Sequence, residues 1–125
     1  LVDFDKNKID SIATLFAKES KEKQLNQLQT AEMVTTFIQE IPYVLIHQNT
    51  CKQILEFEPS DSYIVKYHQD KKPCLANIPG GVQSPYEFLH NLKGDCDTRS
   101  LLGYAIFKKL NILLETLSQL YFCIL

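Results

Sequence analysis

The 125-residue sequence lacks the features that mark several large functional classes. It has no CxxC pair and no histidine at zinc-ligand spacing, which disfavours a structural metal knot. Its lysines are dispersed rather than gathered into a stripe, which disfavours nucleic acid and anionic membranes as partners. The longest apolar stretch, residues 110–125, is interrupted by polar residues and predicts no membrane span.

A signal peptide, internal repeats and low-complexity tracts are also missing from the sequence. The chain opens at Leu1 without an initiator methionine, a basic region or an apolar region, so no leader is predicted. A chain processed after secretion would look the same, and the compartment stays open. A length of 125 residues with 45% hydrophobic residues favours a single packed domain over residues 1–125.

Helical periodicity dominates the first third of the chain. Apolar residues at helical spacing between Asp5 and Lys23, among them Leu15, predict an amphipathic helix with one buried stripe. A second apolar run, residues 33–41, predicts a helix that begins after a Thr30 cap and ends before Pro42. Residues 43–47 are apolar but too short for periodicity to choose between extended chain and one more helical turn.

The rest of the chain predicts a strand, a loop and two helices. Residues 62–68 alternate aromatic and β-branched with polar side chains, which predicts a half-buried strand. Prolines and glycines predict a long loop over residues 69–84. The sequence then predicts a short helix that begins at Pro85 and runs through Leu92, and a further helix after Gly94. Residues 111–125 fit either a continued helix or a turn followed by a strand, and the final residues favour the strand.

Cys96 lies at the predicted start of the last helix. The unpaired N–H groups and the positive end of the helix dipole favour thiolate over thiol at this position. Asp95 is placed to cap the helix, and Gly94 permits a sharp turn that exposes the cysteine. The N–H groups at the tip can form half of an oxyanion hole. Position alone also fits a cysteine that is buried as a small hydrophobe.

Two sequence blocks resemble a known family. The residues SPYEFL at 84–89, GDCD at 94–97, SLL at 100–102 and KKLNI at 108–112 resemble the nucleophile segment of bacterial transglutaminase-like cysteine proteinases. The upstream residues FIQEIPY at 37–43 are similar to the helix that precedes this segment in the family. The order and spacing of the two blocks agree with the family.

The resemblance implies an α+β, papain-like fold with a helix-rich N-terminal part and a short or incomplete sheet. It implies that Cys96 attacks the acyl carbon of a protein or peptide substrate, with a histidine on a later strand as general base and an aspartate that orients it. Gln39 and Gln83 are candidate donors to the oxyanion. Because family members often act outside the cytoplasm, the resemblance implies a periplasmic or extracellular location.

No organic cofactor is predicted, and calcium is the metal to consider. In some family members the acidic residues around the cysteine bind calcium, and Asp95 and Asp97 match that pattern. Thr98 stands where a second acid after the cysteine is usual, which disfavours calcium here.

The expected histidine base is missing. All three histidines, His47, His68 and His90, precede Cys96, and Cys123 stands near the family's histidine position. Three explanations are open: a truncated sequence, an inactive relative, or substitution by His68 or His90. If strands are absent, an exposed sheet edge predicts self-association.

The sequence also allows two alternative functions. The first rival is an interaction module without catalysis, and the second is a redox protein that pairs Cys96 with Cys123 or Cys74. Cys51 and Cys74 are structural or free thiols, with a disulfide left open. Three further residues have assigned roles: Tyr43 and Tyr86 wall the cleft or pack in the core, and Glu87 forms an ion pair with a base such as Arg99.

Overall fold

Helices dominate the computed structural model, which describes residue 5, residues 7–51 and residues 62–112. The helices are α1 (Asp10–Glu22), α2 (Gln27–Glu40), α3 (Ser62–Gln69), α4 (Pro85–Asn91) and α5 (Cys96–Lys109). Two short strands, β1 (Leu45–Ile46) and β2 (Cys74–Leu75), pair in parallel, with Leu45 opposite Cys74. This composition is compatible with the predicted α+β class. Within the described ranges, no helix is both long and apolar enough to cross a membrane.

The core lies where α1, α2 and α4 pack against α5. Val34 and Ile38 of α2, Phe88 of α4, and Leu102 and Ile106 of α5 are completely buried. Burial of each large side chain of this kind stabilises a fold by about 1.5–3 kcal/mol. The helix that begins at the candidate nucleophile is therefore held by packing against three others.

The first two helices confirm the sequence prediction except at two points. Leu15 of α1 is 52% exposed and lies outside the buried stripe. The predicted Thr30 cap is wrong, because α2 begins earlier, at an Asn26 cap. Asn26 Oδ1 accepts the Gln29 backbone N–H at 2.8 Å, and Gln29 Oε1 accepts the Asn26 N–H at 3.0 Å. This capping box satisfies two helix donors, so Thr30 lies inside the helix.

The predicted strand over residues 62–68 is wrong, because these residues form α3. Tyr63 and Tyr67 are four residues apart and their ring centroids are 6.3 Å apart, the contact that a helix creates. The buried Tyr67 hydroxyl donates to the Pro73 carbonyl at 2.5 Å and accepts the Leu45 N–H at 3.4 Å. These tertiary contacts override the strand preference of the aromatic and β-branched residues.

The segments that flank α3 are extended. Tyr43 pairs with Gly94 in an isolated parallel bridge, and β1 follows, so residues 43–47 are not a helical turn. The predicted loop over residues 69–84 contains β2 and a 3₁₀ turn, Pro79–Gly81. The predicted C-terminal strand lies outside the described residues.

Helix α4 confirms the predicted short helix and corrects one ion pair. Ser84 and Glu87 form a capping box, in which a Glu87 carboxylate oxygen accepts the Ser84 N–H at 2.9 Å. The predicted Glu87–Arg99 pair is wrong, because Arg99 Nη2 donates to the Ile41 carbonyl at 2.6 Å. The first turn of α4 is also joined to the start of the chain, since the buried Asp5 carboxylate accepts the Tyr86 N–H at 2.8 Å.

Candidate functional site

Cys96 is the first residue of α5, as the sequence predicts. Asp95 caps this helix: its Oδ1 accepts the Thr98 N–H at 3.1 Å and the Thr98 hydroxyl at 2.9 Å. The Cys96 thiol is free and partly exposed. The capped helix therefore presents a reachable sulfur beside the N–H groups of its first turn.

Gly94 is required by close packing rather than by an unusual backbone angle. A Cβ at this position would lie 2.9 Å from Phe88 Cε2 and 3.0 Å from Thr98 Cγ2. The Gly94 carbonyl also accepts the Val44 N–H at 2.9 Å. The left-handed residue of the turn is instead Leu92, with φ 51°. The predicted role of Gly94 in a sharp turn is thus replaced by a role in bringing α4, α5 and residues 43–44 together.

The electrostatic surroundings contradict the predicted Cys96 thiolate. Burial raises the pKa of the Cys96 thiol, and the carboxylates of Asp97 and Asp95 raise it further. The backbone N–H groups of Asp97 and Cys96 act in the opposite direction, but they do not overcome burial and two negative charges. The resting residue is therefore a thiol at neutral pH, and reaction requires a base to remove its proton.

Tyr43 lies close enough to Cys96 for an electrostatic interaction, and Arg99 packs against Tyr43. Burial is the largest cause that raises the pKa of Tyr43 far above its usual value, and a hydrogen bond with Tyr63 is the second. The phenol is therefore neutral. The Arg99 guanidinium lies 5.5 Å from the centroid of the Tyr43 ring while it donates to the Ile41 carbonyl. Arg99 thus fixes residues 41–43 along α5. Of the two positions left open for Tyr43, the structure shows a half-buried side chain on the side of Cys96 rather than one in the core.

The two candidate oxyanion donors, Gln39 and Gln83, do not contact Cys96, and Tyr86 does not pack in the core. The Gln39 side chain is exposed and makes no hydrogen bond with Cys96. Gln83 is completely buried: its Nε2 donates to the Lys93 carbonyl at 2.8 Å and its Oε1 accepts Asn91 Nδ2 at 2.5 Å. Its amide is committed to the connection between α4 and α5. Tyr86 is 44% exposed and packs under Lys8 rather than in the core.

No histidine is among the side chains that contact or electrostatically perturb Cys96 in the described part of the chain. Its one side-chain hydrogen bond there is a weak one, from Sγ to Asp97 Oδ1 at 3.9 Å. His90 is exposed on α4. The structure brings His47 and His68 to each other, with 3.2 Å between their Nε2 atoms.

A disulfide between Cys51 and Cys74 settles the alternatives left open for these cysteines. Cys74 is therefore already paired and is not a free partner for Cys96, while Cys123 lies outside the described residues. The Cys74 sulfur and one nitrogen each of His47 and His68 lie within 4.8 Å of one another. Asp95 and Asp97, which match the family's calcium-binding pattern, belong to no such three-ligand group in the ranges described. Sequence reasoning missed the His–Cys group because His68 and Cys74 follow His47 by 21 and 27 residues, so the three form no local motif.

A separate open cavity of about 330 Å³ lies between the end of α1 and the start of α2. Its lining includes Ser20, Leu25, Thr30 and Leu110. None of the residues that the sequence singles out for chemistry lines it.

Comparison with protein-family models, with curated proteins and with solved structures finds no significant match to this chain.

Proposed function

We propose that the chain is a transglutaminase-like cysteine hydrolase domain in which Cys96 attacks the acyl carbon of a peptide or amide bond. The observation that carries the proposal is the placement of Cys96 as the first residue of a capped helix, within the GDCD segment that resembles the family. The free, partly exposed sulfur and its two neighbouring N–H groups suit attack on a carbonyl.

The reaction has two steps. The Cys96 thiol loses its proton to a base, and the sulfur forms a thioester as the C–N bond breaks and the amine leaves with a proton. Water or a second amine then attacks the thioester and regenerates the thiol. Because the Cys96 pKa is raised, the thiol needs a base to remove its proton before attack, and lack of a general base slows reaction by roughly 10²–10⁴-fold.

An interaction module without catalysis is the alternative. It is favoured by one specific observation: the described contacts of Cys96 include two carboxylates and a tyrosine but no histidine. In that case the resting thiol is one wall of a surface that binds a protein or peptide without cleaving it.

Acylation by an activated ester separates the two functions. The unreduced protein is treated with 4-nitrophenyl acetate, and peptide mass spectrometry measures acetylation of Cys96 against time in the folded chain and in urea. The hydrolase proposal expects faster acylation per thiolate in the folded chain, followed by loss of the acetyl group to water or to added amine. Cys96→Ser is the matched control and should accept no acetyl group at this position. A folded rate per thiolate that is equal to or below the rate in urea contradicts the hydrolase and favours the interaction module.

A further inference from the structure

Three side chains that can bind a metal, those of His47, His68 and Cys74, lie close together beside the Cys51–Cys74 disulfide. His47 directly follows β1, Cys74 begins β2, and His68 lies in the last turn of α3. The two imidazole Nε2 atoms are 3.2 Å apart, and the Cys74 sulfur lies within 4.8 Å of both ligand nitrogens. None of these three residues is among the groups that contact or electrostatically perturb Cys96.

The backbone holds these ligands in place. The His47 N–H donates to the Leu75 carbonyl at 2.9 Å, and the His47 carbonyl accepts the Ile78 N–H at 3.0 Å. Tyr67, the neighbour of His68, donates to the carbonyl of Pro73, the neighbour of Cys74. His47 is only 7% exposed, so water competes weakly for its ring. The ligands are therefore positioned by contacts that do not depend on a metal.

The disulfide determines how many ligands the cluster offers. While Cys51 and Cys74 are bonded to each other, neither sulfur is a thiolate, and the two imidazoles face each other through their Nε2 atoms. Reduction frees the Cys74 sulfur beside the two imidazoles and the Cys51 sulfur next to Cys74. Two thiolates with two imidazoles form the tetrahedral donor set that zinc prefers.

We propose that the reduced protein binds one zinc ion through His47, His68, Cys51 and Cys74. Zn–N bonds of about 2.05 Å at a tetrahedral angle place two imidazole nitrogens about 3.3 Å apart. The observed Nε2–Nε2 separation is 3.2 Å. A nitrogen and a sulfur on the same zinc are about 3.6 Å apart, so for His47, His68 and Cys74 the 4.8 Å limit requires shifts of roughly 1 Å at most. The Cys51 sulfur lies outside that three-ligand group and, once the disulfide is broken, moves to about 3.8 Å from the Cys74 sulfur, the separation of two sulfurs on a tetrahedral zinc.

Disulfide and zinc are mutually exclusive states of this site. A dithiol reductant transfers two electrons and two protons to the Cys51–Cys74 bond, which yields two thiols and the oxidised cyclic disulfide of the reductant. Zn²⁺ then replaces the two thiol protons, releases them to solvent, and forms two Zn–S and two Zn–N bonds. A small-molecule disulfide reverses the process: it accepts two electrons and two protons and becomes two thiols, while the Cys51–Cys74 bond re-forms and Zn²⁺ is released.

Cobalt(II) provides a spectroscopic test, because tetrahedral thiolate coordination gives a charge-transfer band and intense visible bands. The protein carries Cys96→Ser and Cys123→Ser, which remove the other thiols, and it is reduced with a phosphine that takes up oxygen from water and leaves no competing thiol. We expect one Co²⁺ per chain with tetrahedral bands, displacement by one Zn²⁺, and no such bands in the oxidised protein. Octahedral cobalt spectra, or equal binding by the oxidised protein, would overturn the proposal.

Two variants and a second measurement keep the test independent of folding. His68→Gln removes a partly exposed ligand and should weaken binding by at least the roughly 10–100-fold that changes around metal ligands cost. His90→Gln is the matched control and should bind as the parent does. In the otherwise unaltered reduced protein, Zn²⁺ should slow alkylation of Cys51 and Cys74 but not of Cys96. Unchanged binding in His68→Gln, or unprotected Cys51 and Cys74, would show that the four residues do not form the site.

Discussion

Cys96 and the cluster around Cys74 differ in how much of their surroundings is local in sequence. The cap, the turn and the two carboxylates at Cys96 all come from residues 92–98. The Cys74 cluster instead collects Cys51, His47 and His68 from separate segments. A site of the first kind is visible as a motif, but its electrostatics depend on burial. A site of the second kind becomes visible only when the fold is known.

Removal of the disulfide should have the largest effect on stability. The bridge joins residues 23 apart. Loop-closure entropy for that length predicts that Cys51→Ser/Cys74→Ser loses about 3 kcal/mol of unfolding free energy. Urea unfolding of the unreduced proteins measures the loss. The control is Cys96→Ser, which should unfold near the urea concentration of the parent. A double variant that is as stable as the parent would mean that the bridge adds nothing to the fold.

Gly94→Ala should give the next largest effect, and it should act on the Cys96 region. The added methyl group would lie within 3.0 Å of Phe88 and Thr98 atoms, so overpacking should cost about 1–3 kcal/mol of unfolding free energy. The control is Gly80→Asn, since Gly80 has open space around it and asparagine tolerates its left-handed backbone. Circular dichroism in urea compares the two variants. Equal midpoints would disprove the close approach at Gly94.

Asp97→Asn should have the smallest effect on stability and a clear effect on reactivity. The Asp97 carboxylate raises the Cys96 pKa, so its removal should move the pH profile of Cys96 alkylation towards lower pH. In the parent, the folded thiol has the higher pKa, so its contribution to stability is present below the unfolded pKa and is lost as pH rises through the folded value. The shift is read by mass spectrometry of iodoacetamide-treated protein.

A matched charge change checks the cause of that shift. Asp10→Asn also removes one carboxylate, but Asp10 pairs with Lys109 at the opposite end of α5, about 20 Å from Cys96 for a helix of this length. It should leave the alkylation profile unchanged. A profile that moves equally in both variants would point to net charge rather than to the Asp97 contact.

Local sequence signals predicted the helix start and cap near Cys96, but they failed where contacts between distant residues determine the structure. Asp95 and Cys96 take the predicted cap and helix positions because capping depends on residues three apart. The Asn26–Gln29 capping box carried the same kind of signal, yet the prediction placed the cap at Thr30. Burial of the thiol, which reverses its expected pKa shift, depends on packing between helices and leaves no mark in the motif.

The region around α3 shows why the rest could not be predicted. Tyr67 joins α3 to Leu45 and Pro73, residues 22 and 6 positions away, and these contacts exist only in the folded chain. Alternating aromatic residues therefore favoured a strand when they were considered alone. The same non-local packing places His68 against His47, which no spacing rule for zinc ligands would find.

The disulfide also closes residues 51–74 into a covalent ring that contains α3. A protease that cuts once inside this ring, for example after Lys66 or Lys71, separates no fragment from the chain. On a gel without reductant the cut protein would migrate near the intact protein, and two fragments would appear only after reduction. Apparent resistance to proteolysis in this segment would then report on a covalent ring rather than on a folded helix.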